Sequence, residues 1–146
     1  MTSVRPLSTI VAVDCSAINL ATESRVLNEL PLYRASKVRV TNHSDQPIAV
    51  MRCQAQGNQV GTGNADFIGV EAGFGLGALI LSVGESIIID KEPGAAQFDT
   101  DANDYVVNPG TEYWGEVIRL DDSSLLANSN APTTGFIYAS AVSTHP

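Results

Sequence analysis

The sequence predicts an all-β fold, an antiparallel β-sandwich or jelly roll of about eight strands with long loops. Three observations carry that prediction. In the stretch 79–93, Leu79, Leu81 and Val83 share one parity before a hinge at Gly84-Glu85-Ser86, and Ile87 and Ile89 then oppose Ser86, Ile88 and Asp90, which is the period of a half-buried strand. A helix through the same residues would set β-branched Ile87, Ile88 and Ile89 side by side with Gly84 in its middle. Lys37-Val-Arg-Val-Thr-Asn42 alternates as well, with Val38 and Val40 inward and Lys37, Arg39 and Thr41 outward. Finally, the remaining apolar segments are short and punctuated by Gly, Pro and Asn, without heptads or short repeats.

Taken in chain order, residues 1–12 read as an N-terminal arm running into a strand at Thr9–Asp14, with a further apolar stretch at Ile18–Leu20. Thr22 to Leu30 is extended or a short helix stopped by Pro31. Strands at Ser36–Asn42 and Ile48–Cys53, joined by Asn42-His-Ser-Asp-Gln-Pro47, read as a β-hairpin. Residues 57–77 hold seven of the twelve glycines and read as a long loop. The paired strands of 79–93 follow, then an acidic loop over Gly94–Asn103, a short strand at Tyr105–Val107 and a turn at Asn108-Pro-Gly110. A strand at Tyr113–Leu120, a loop at Ser123–Thr134 and a last strand at Gly135–Val142 complete one domain over 1–146.

Composition narrows the function. The 146 residues can bury one sizeable core, and only 16% are charged, which suits a surface much of which meets other protein. Net charge is -8 and uneven: residues 1–55 carry six basic and four acidic groups, residues 56–146 two and twelve. With no Lys or Arg between Arg52 and Lys91, nucleic acid is a poor partner. The asymmetry would suit head-to-tail self-association or a basic protein surface, but a solvated acidic face that keeps the protein soluble is the better reading. The longest uncharged apolar run, Ala72 to Gly84, falls short of the roughly 20 residues of a membrane helix, and the N-terminus lacks a signal-peptide pattern, so a soluble protein made in the cytosol is expected. Cys15 and Cys53 are too few for a zinc site. They are either two separate buried thiols or a disulfide worth roughly 3–4 kcal/mol.

No motif makes a strong claim on chemistry. Asp99, Asp101 and Asn103 match the first ligand positions of a calcium loop, but Asp104 stands where the tight-turn glycine belongs and Gly110 where the bidentate Glu belongs, so a solvated acidic loop is the better reading. Gly73-Phe-Gly75-Leu-Gly77 lacks the helix and the Lys of a phosphate cradle. His43 sits beside Ser44 and Asp45 in the expected turn, where adjacent residues cannot form a triad. The carboxylate pairs Asp121/Asp122 and Glu112/Glu116 offer nothing that marks acid/base work. No enzymatic activity and no cofactor are therefore expected. Asn42-His-Ser44 is a glycosylation acceptor only in a secreted eukaryotic protein. Trp114 with Tyr113 reads as core, or as a sugar platform in a tail- or fibre-associated carbohydrate-binding module. Residues 123–146 carry no Asp, Glu, Lys or Arg, which fits an end pinned against a neighbour.

The order Leu30-Pro31, Lys37-Val-Arg-Val-Thr-Asn42, Gln46-Pro-Ile-Ala-Val50, a glycine-rich gap, then Leu81-Ser-Val-Gly-Glu-Ser-Ile-Ile-Ile-Asp-Lys91 resembles small β-sandwich virion proteins of tailed bacteriophages. The resemblance covers about residues 30–93. Val83 replaces the family's usual Pro or Ala before the glycine, and the segment after Pro93 is not covered. It implies a capsid decoration (cement) protein on the virion surface, whose partners are the major capsid protein and further copies of itself, often as a trimer. Contacts are then expected from residues 1–12, 123–146 and the glycine-rich loop, with Val4, Arg5, Phe67, Phe74, Leu125 and Leu126 as the contact side chains. The family brings no catalytic residues.

Overall fold

The structure, a computed structural model, describes residues 3–22, 24–54, 56–57, 59–60, 67–68, 78–94, 96–99, 104–107, 115–122 and 130–145; within 54–77 and 95–114 the description is of backbone pairing. The strands are β1 (Ser3–Pro6), β2 (Val11–Asp14), β3 (Arg25–Leu27), β4 (Lys37–Ser44), β5 (Ile48–Gln54), β6 (Gln56–Gly57), β7 (Gln59–Val60), β8 (Phe67–Ile68), β9 (Ala78–Leu81), β10 (Ser86–Asp90), β11 (Ala96–Asp99), β12 (Asp104–Val107), β13 (Glu116–Asp122) and β14 (Gly135–His145), with one helical turn, α1 (Leu30–Tyr33), between β3 and β4.

Nine of these strands build two antiparallel sheets packed face to face. The first runs β2-β14-β4-β10, with β1 also on β14, and the second runs β3-β13-β5-β9. Consecutive strands change sheet at nearly every step: β2 to β3, β3 to β4, β4 to β5, β9 to β10 and β13 to β14 all cross over. Eight strands in these two orders are a jelly roll. Leu27, Ile48, Val50, Ile118 and Leu120 from the second sheet meet Val13, Val38, Val40, Ile89 and Ile137 from the first in one core. Each such side chain contributes about 1.5–3 kcal/mol by leaving water.

The expected hairpin at 36–53 and the expected pairing within 79–93 are both corrected. β4 pairs with β10 and β14, β5 with β9 and β13, and neither β4–β5 nor β9–β10 is a ladder. Each is an arch that leaves one sheet and enters the other. Turn residues bend the chain whichever way the flanking strands then go, and the inward parity of Val38, Val40, Ile48 and Val50 is the same in a hairpin as in an arch.

Asn42 fixes the two arches against each other. Its side chain is fully buried; Nδ2 donates to Gln46 O (2.9 Å) and Leu81 O (3.0 Å), and Oδ1 accepts from Ser44 N (3.0 Å) and Ser44 Oγ (2.6 Å). Its backbone N–H donates to Glu85 O and its carbonyl accepts from Gly84 N. The glycosylation reading of Asn42 ends there, because a buried amide with four partners is not open to modification. At the same end of the barrel Asp45 accepts from Thr133 N (2.8 Å), Thr134 N (3.2 Å) and Thr133 Oγ1 (3.1 Å). The N–H groups of Thr133 and Thr134 hold its carboxyl below the usual carboxylate range.

The opposite end carries the long connections. Residues 54–77 contribute β6, β7 and β8, and 91–115 contribute β11 and β12, with β7 pairing to β12, so the two excursions join. The acidic loop expected over Gly94–Asn103 thus contains a strand. Lys91, 5% exposed, anchors this end by donating to Tyr33 O (2.8 Å) and Glu116 O (2.9 Å). Burial pulls its ammonium down to about 8, against the opposing pull of the Glu116 carboxylate. Pro31 does not stop a helix but lies in the first turn of α1, where its missing N–H costs nothing. The ambiguous stretch before it resolves into strand, then turn.

Candidate interaction surfaces

The N-terminal residues form an edge strand of the first sheet. β1 pairs with residues 142–145 of β14 and β2 with residues 136–139. Leu7 N donates to Ala141 O and Cys15 N to Gly135 O, and carbonyls of one parity point to one edge, so β1 and β2 lie end to end on the same side of β14. Four residues, 7–10, face only two, 140–141, and the excess bulges outward. Ser8 Oγ accepts the Ala141 N–H that the bulge leaves without a backbone partner. The bulge presents Leu7 and Ile10, 61% and 65% exposed, with Val4 on β1 half-exposed.

The other flank is open in both sheets. Among the described residues β10 pairs only with β4, and β9 only with β5, so two adjacent edges joined by one arch leave backbone N–H and C=O groups facing outward. Leu79 (49%), Ile80 (42%), Val83 (53%) and Ile88 (36%) are exposed along this flank. Soluble sheets usually protect such edges with charge or Pro. Here the protection is slight: Asp90 is tied to Lys37, and Glu85 turns back to accept the Ser82 N–H (2.8 Å).

The outer face of the first sheet is polar-aromatic. Register sets His43 opposite Phe136, Thr41 between Tyr138 and Ser86, and Arg39 between Ser140 and Ile88. Phe136 and Tyr138 stack (5.9 Å between ring centres, 19° between planes), and the His43 ring meets Tyr138 edge-on (5.7 Å, 65°). Thr41 Oγ1 and Ser86 Oγ share a hydrogen bond of 2.6 Å. Ile10 from the bulge closes one side of a shallow cleft of about 360 Å³ over Arg39, Thr41, His43, Ser86 and Tyr138, with Phe136 outside its lining. His43 is therefore an outward residue of β4 rather than part of a turn, and Ser44 beside it is buried against Asn42.

The outer face of the second sheet is largely apolar among the described residues. Tyr33, Val26, Ala49, Met51, Cys53 and Val117 pack there as a second apolar cluster. Beside it Arg119 pairs with Asp121 (2.9 Å) and donates through Nε to Ser24 Oγ (3.0 Å), while Ser24 donates to Asp121. Asp121 is thus occupied, and Asp122 projects from the other face of the strand. Glu116 accepts the Glu92 N–H (2.7 Å) and lies 3.7 Å from Arg52. The two cysteines form no disulfide: Cys15 belongs to the central core and Cys53 to the cluster behind the second sheet, on opposite sides of β5 and β13. Burial and the nearby Asp45 and Asp14 push the Cys15 thiol up.

Of the contact side chains expected from sequence, Val4 and Arg5 lie exposed on β1. Phe67 falls in β8, described by its backbone, and Phe74, Leu125 and Leu126 lie outside the described residues, as do Glu112, Tyr113 and Trp114. Asp99 ends β11, and Asp101 and Asn103 also lie outside. Among the described residues no cluster of metal-ligating side chains occurs. The C-terminal segment is committed to the chain's own fold, since residues 135–145 are flanked by β4 on one side and by β1 and β2 on the other. Leu79, Ile80, Phe136 and Tyr138 had no place in the sequence-based site; an exposed edge and an outward aromatic pair show only once the strand order is known. No helix among the described residues is long and apolar enough to cross a membrane. In comparison with known proteins, no family model, curated protein or solved structure matches the chain.

Proposed function

We propose that the protein is a structural component of a virus particle, a capsid decoration (cement) protein that stabilises the joints between capsid subunits. The observation that carries this reading is the flank where β9 and β10 both end their sheets, with Leu79, Ile80, Val83 and Ile88 exposed and the edges unpaired among the described residues. A strand from a capsid subunit laid along such an edge completes the backbone hydrogen bonds while its side chains cover the apolar row. A stable joint needs roughly 1,200–2,000 Å² of buried surface, and further copies of the chain at a symmetric site would add to what the flank contributes. Burying that surface raises the free energy of separating the subunits. The jelly roll is used by capsid and lectin domains alike, so the fold is compatible with this role without assigning it.

The test is co-sedimentation of the purified protein with undecorated bacteriophage heads, alongside its solution mass by light scattering. Saturable occupancy is expected, with loss in a Leu79→Lys/Ile88→Lys double variant that keeps the wild-type circular dichroism spectrum. Heads that bind none of the wild-type protein, or that bind the double variant equally well, would overturn the assignment.

A further inference from the structure

We propose that the outer face of the first sheet is a binding site for an acidic saccharide, a sugar unit whose ring lies on Tyr138, which Phe136 backs, and whose carboxylate meets Arg39. The inference rests on different residues from the capsid contact and stands or falls independently of it.

The shape comes from register. Outward positions of β14, β4 and β10 fall in rows, so Tyr138, Thr41 and Ser86 lie across the sheet in one line, with Phe136 and His43 in the row on one side and Ser140 and Arg39 in the row on the other. Ile10 then rises from the bulge as a wall, which turns a sheet face into a cleft. Its volume of about 360 Å³ falls at the small end of the range for small-molecule sites.

The chemistry is that of a sugar. Tyr138, stacked on Phe136 on one side, offers its other face on the Ser140 and Arg39 side as an apolar platform to the C–H face of a pyranose. His43, edge-on to Tyr138, holds that ring from the side opposite Arg39. The hydroxyls of Thr41, Ser86 and Ser140 both donate and accept, which matches sugar hydroxyls better than a purely donating or purely accepting surface does.

Charge selects the acidic class. Of the acidic groups nearby, Asp90 is offset by Lys37, while Glu85 and Asp14 bond Ser82 and Ser16, keep their charge and line no part of the cleft, so the charge within its lining is that of Arg39. Arg39 is exposed and makes no ion pair or hydrogen bond among the described residues. Its planar guanidinium is the donor set suited to a carboxylate. A nucleic acid strand would need a basic track beyond this one side chain.

The experiment is a titration of the isotope-labelled full chain, followed by amide chemical shifts, with di- and trisaccharides of galacturonic or glucuronic acid and with their neutral galactose and glucose counterparts. Saturable shifts are expected at residues 39–43, 86 and 136–140, with the acidic sugars bound about tenfold more tightly than the neutral ones. Arg39→Gln, at an exposed position, removes that preference and leaves the remaining shifts on the same residues. Tyr138→Ala abolishes binding of both classes. No saturable shifts with either class, equal affinity for the two, or shifts elsewhere that ignore both variants would overturn the proposal; because Arg39→Gln does not disturb the core, the charge arm holds even if Tyr138→Ala unfolds.

Discussion

Replacing Asn42 by Ala should be among the most damaging single changes in the described residues. The amide makes four hydrogen bonds in a position with no exposure. Ser44 Oγ keeps a second partner in Gln46 O (2.9 Å), and that contact also satisfies Gln46 O, so two of the four losses are absorbed locally. Leu81 O and Ser44 N each lose the partner that the Asn42 amide gave them. An orphaned buried group costs about 1–3 kcal/mol, so the pair gives a loss of about 2–5 kcal/mol. That is a large part of the 5–15 kcal/mol that roughly bounds a domain of this size. Urea unfolding followed by circular dichroism measures it, with wild type and variant compared at the same slope. Asn42→Asp sharpens the reasoning, because it keeps the shape but turns both donors into an acceptor aimed at two carbonyls. The buried carboxyl then titrates above its unfolded value of about 3.9, so the folded state holds the proton longer and stability falls as pH rises from about 4 to 7. A loss below about 1 kcal/mol for Asn42→Ala, or an Asn42→Asp variant equally stable at both pH values, would refute the claim that this side chain ties the two arches together.

Two further predictions follow from the two ends of the barrel. Lys91 titrates near 8 in the fold against about 10.4 in the unfolded chain, so between those values the unfolded state holds more protons and stability rises with pH. The wild type should therefore gain about 3 kcal/mol relative to Lys91→Met from pH 7.5 to about 10.5, read by urea unfolding at several pH values; a constant difference would contradict the burial argument. Gly84 and Gly135 both have positive φ, but a Cβ on Gly84 meets nothing within 4 Å whereas one on Gly135 would lie 2.2 Å from His43 O. Gly84→Ala should cost about 1–2 kcal/mol of backbone strain alone, and Gly135→Ala clearly more because β14 must also move off β4; equal costs in thermal or urea unfolding would sink that distinction.

Much of the local structure was legible because a strand with one buried face writes its period into the sequence. Val38 and Val40, and Ile87 and Ile89, turn inward as their parity requires, and Ser86, Ile88 and Asp90 turn outward. The strand at Gly135 and the all-β class were equally readable. Pairing was not. Asn42 to Pro47 carries the composition of a hairpin turn, yet the strands it joins lie in different sheets, because parity states which side chains are buried and leaves open which backbone edge meets which. The deciding contacts are non-local: Asn42 with Leu81, Asp45 with Thr133, and Lys91 with Tyr33 and Glu116.

The same division holds for the surfaces. The sequence by itself determined an all-β chain with a low charged fraction and an acidic second half, since these depend on composition and short-range spacing alone. Only the tertiary structure decided that Leu79, Ile80 and Ile88 border an open flank, that residues 135–145 are an interior strand rather than a free end, and that Arg39, His43 and Tyr138 share one cleft. Neighbours across a sheet are set by strand order, and strand order is a property of how the whole chain closes its core.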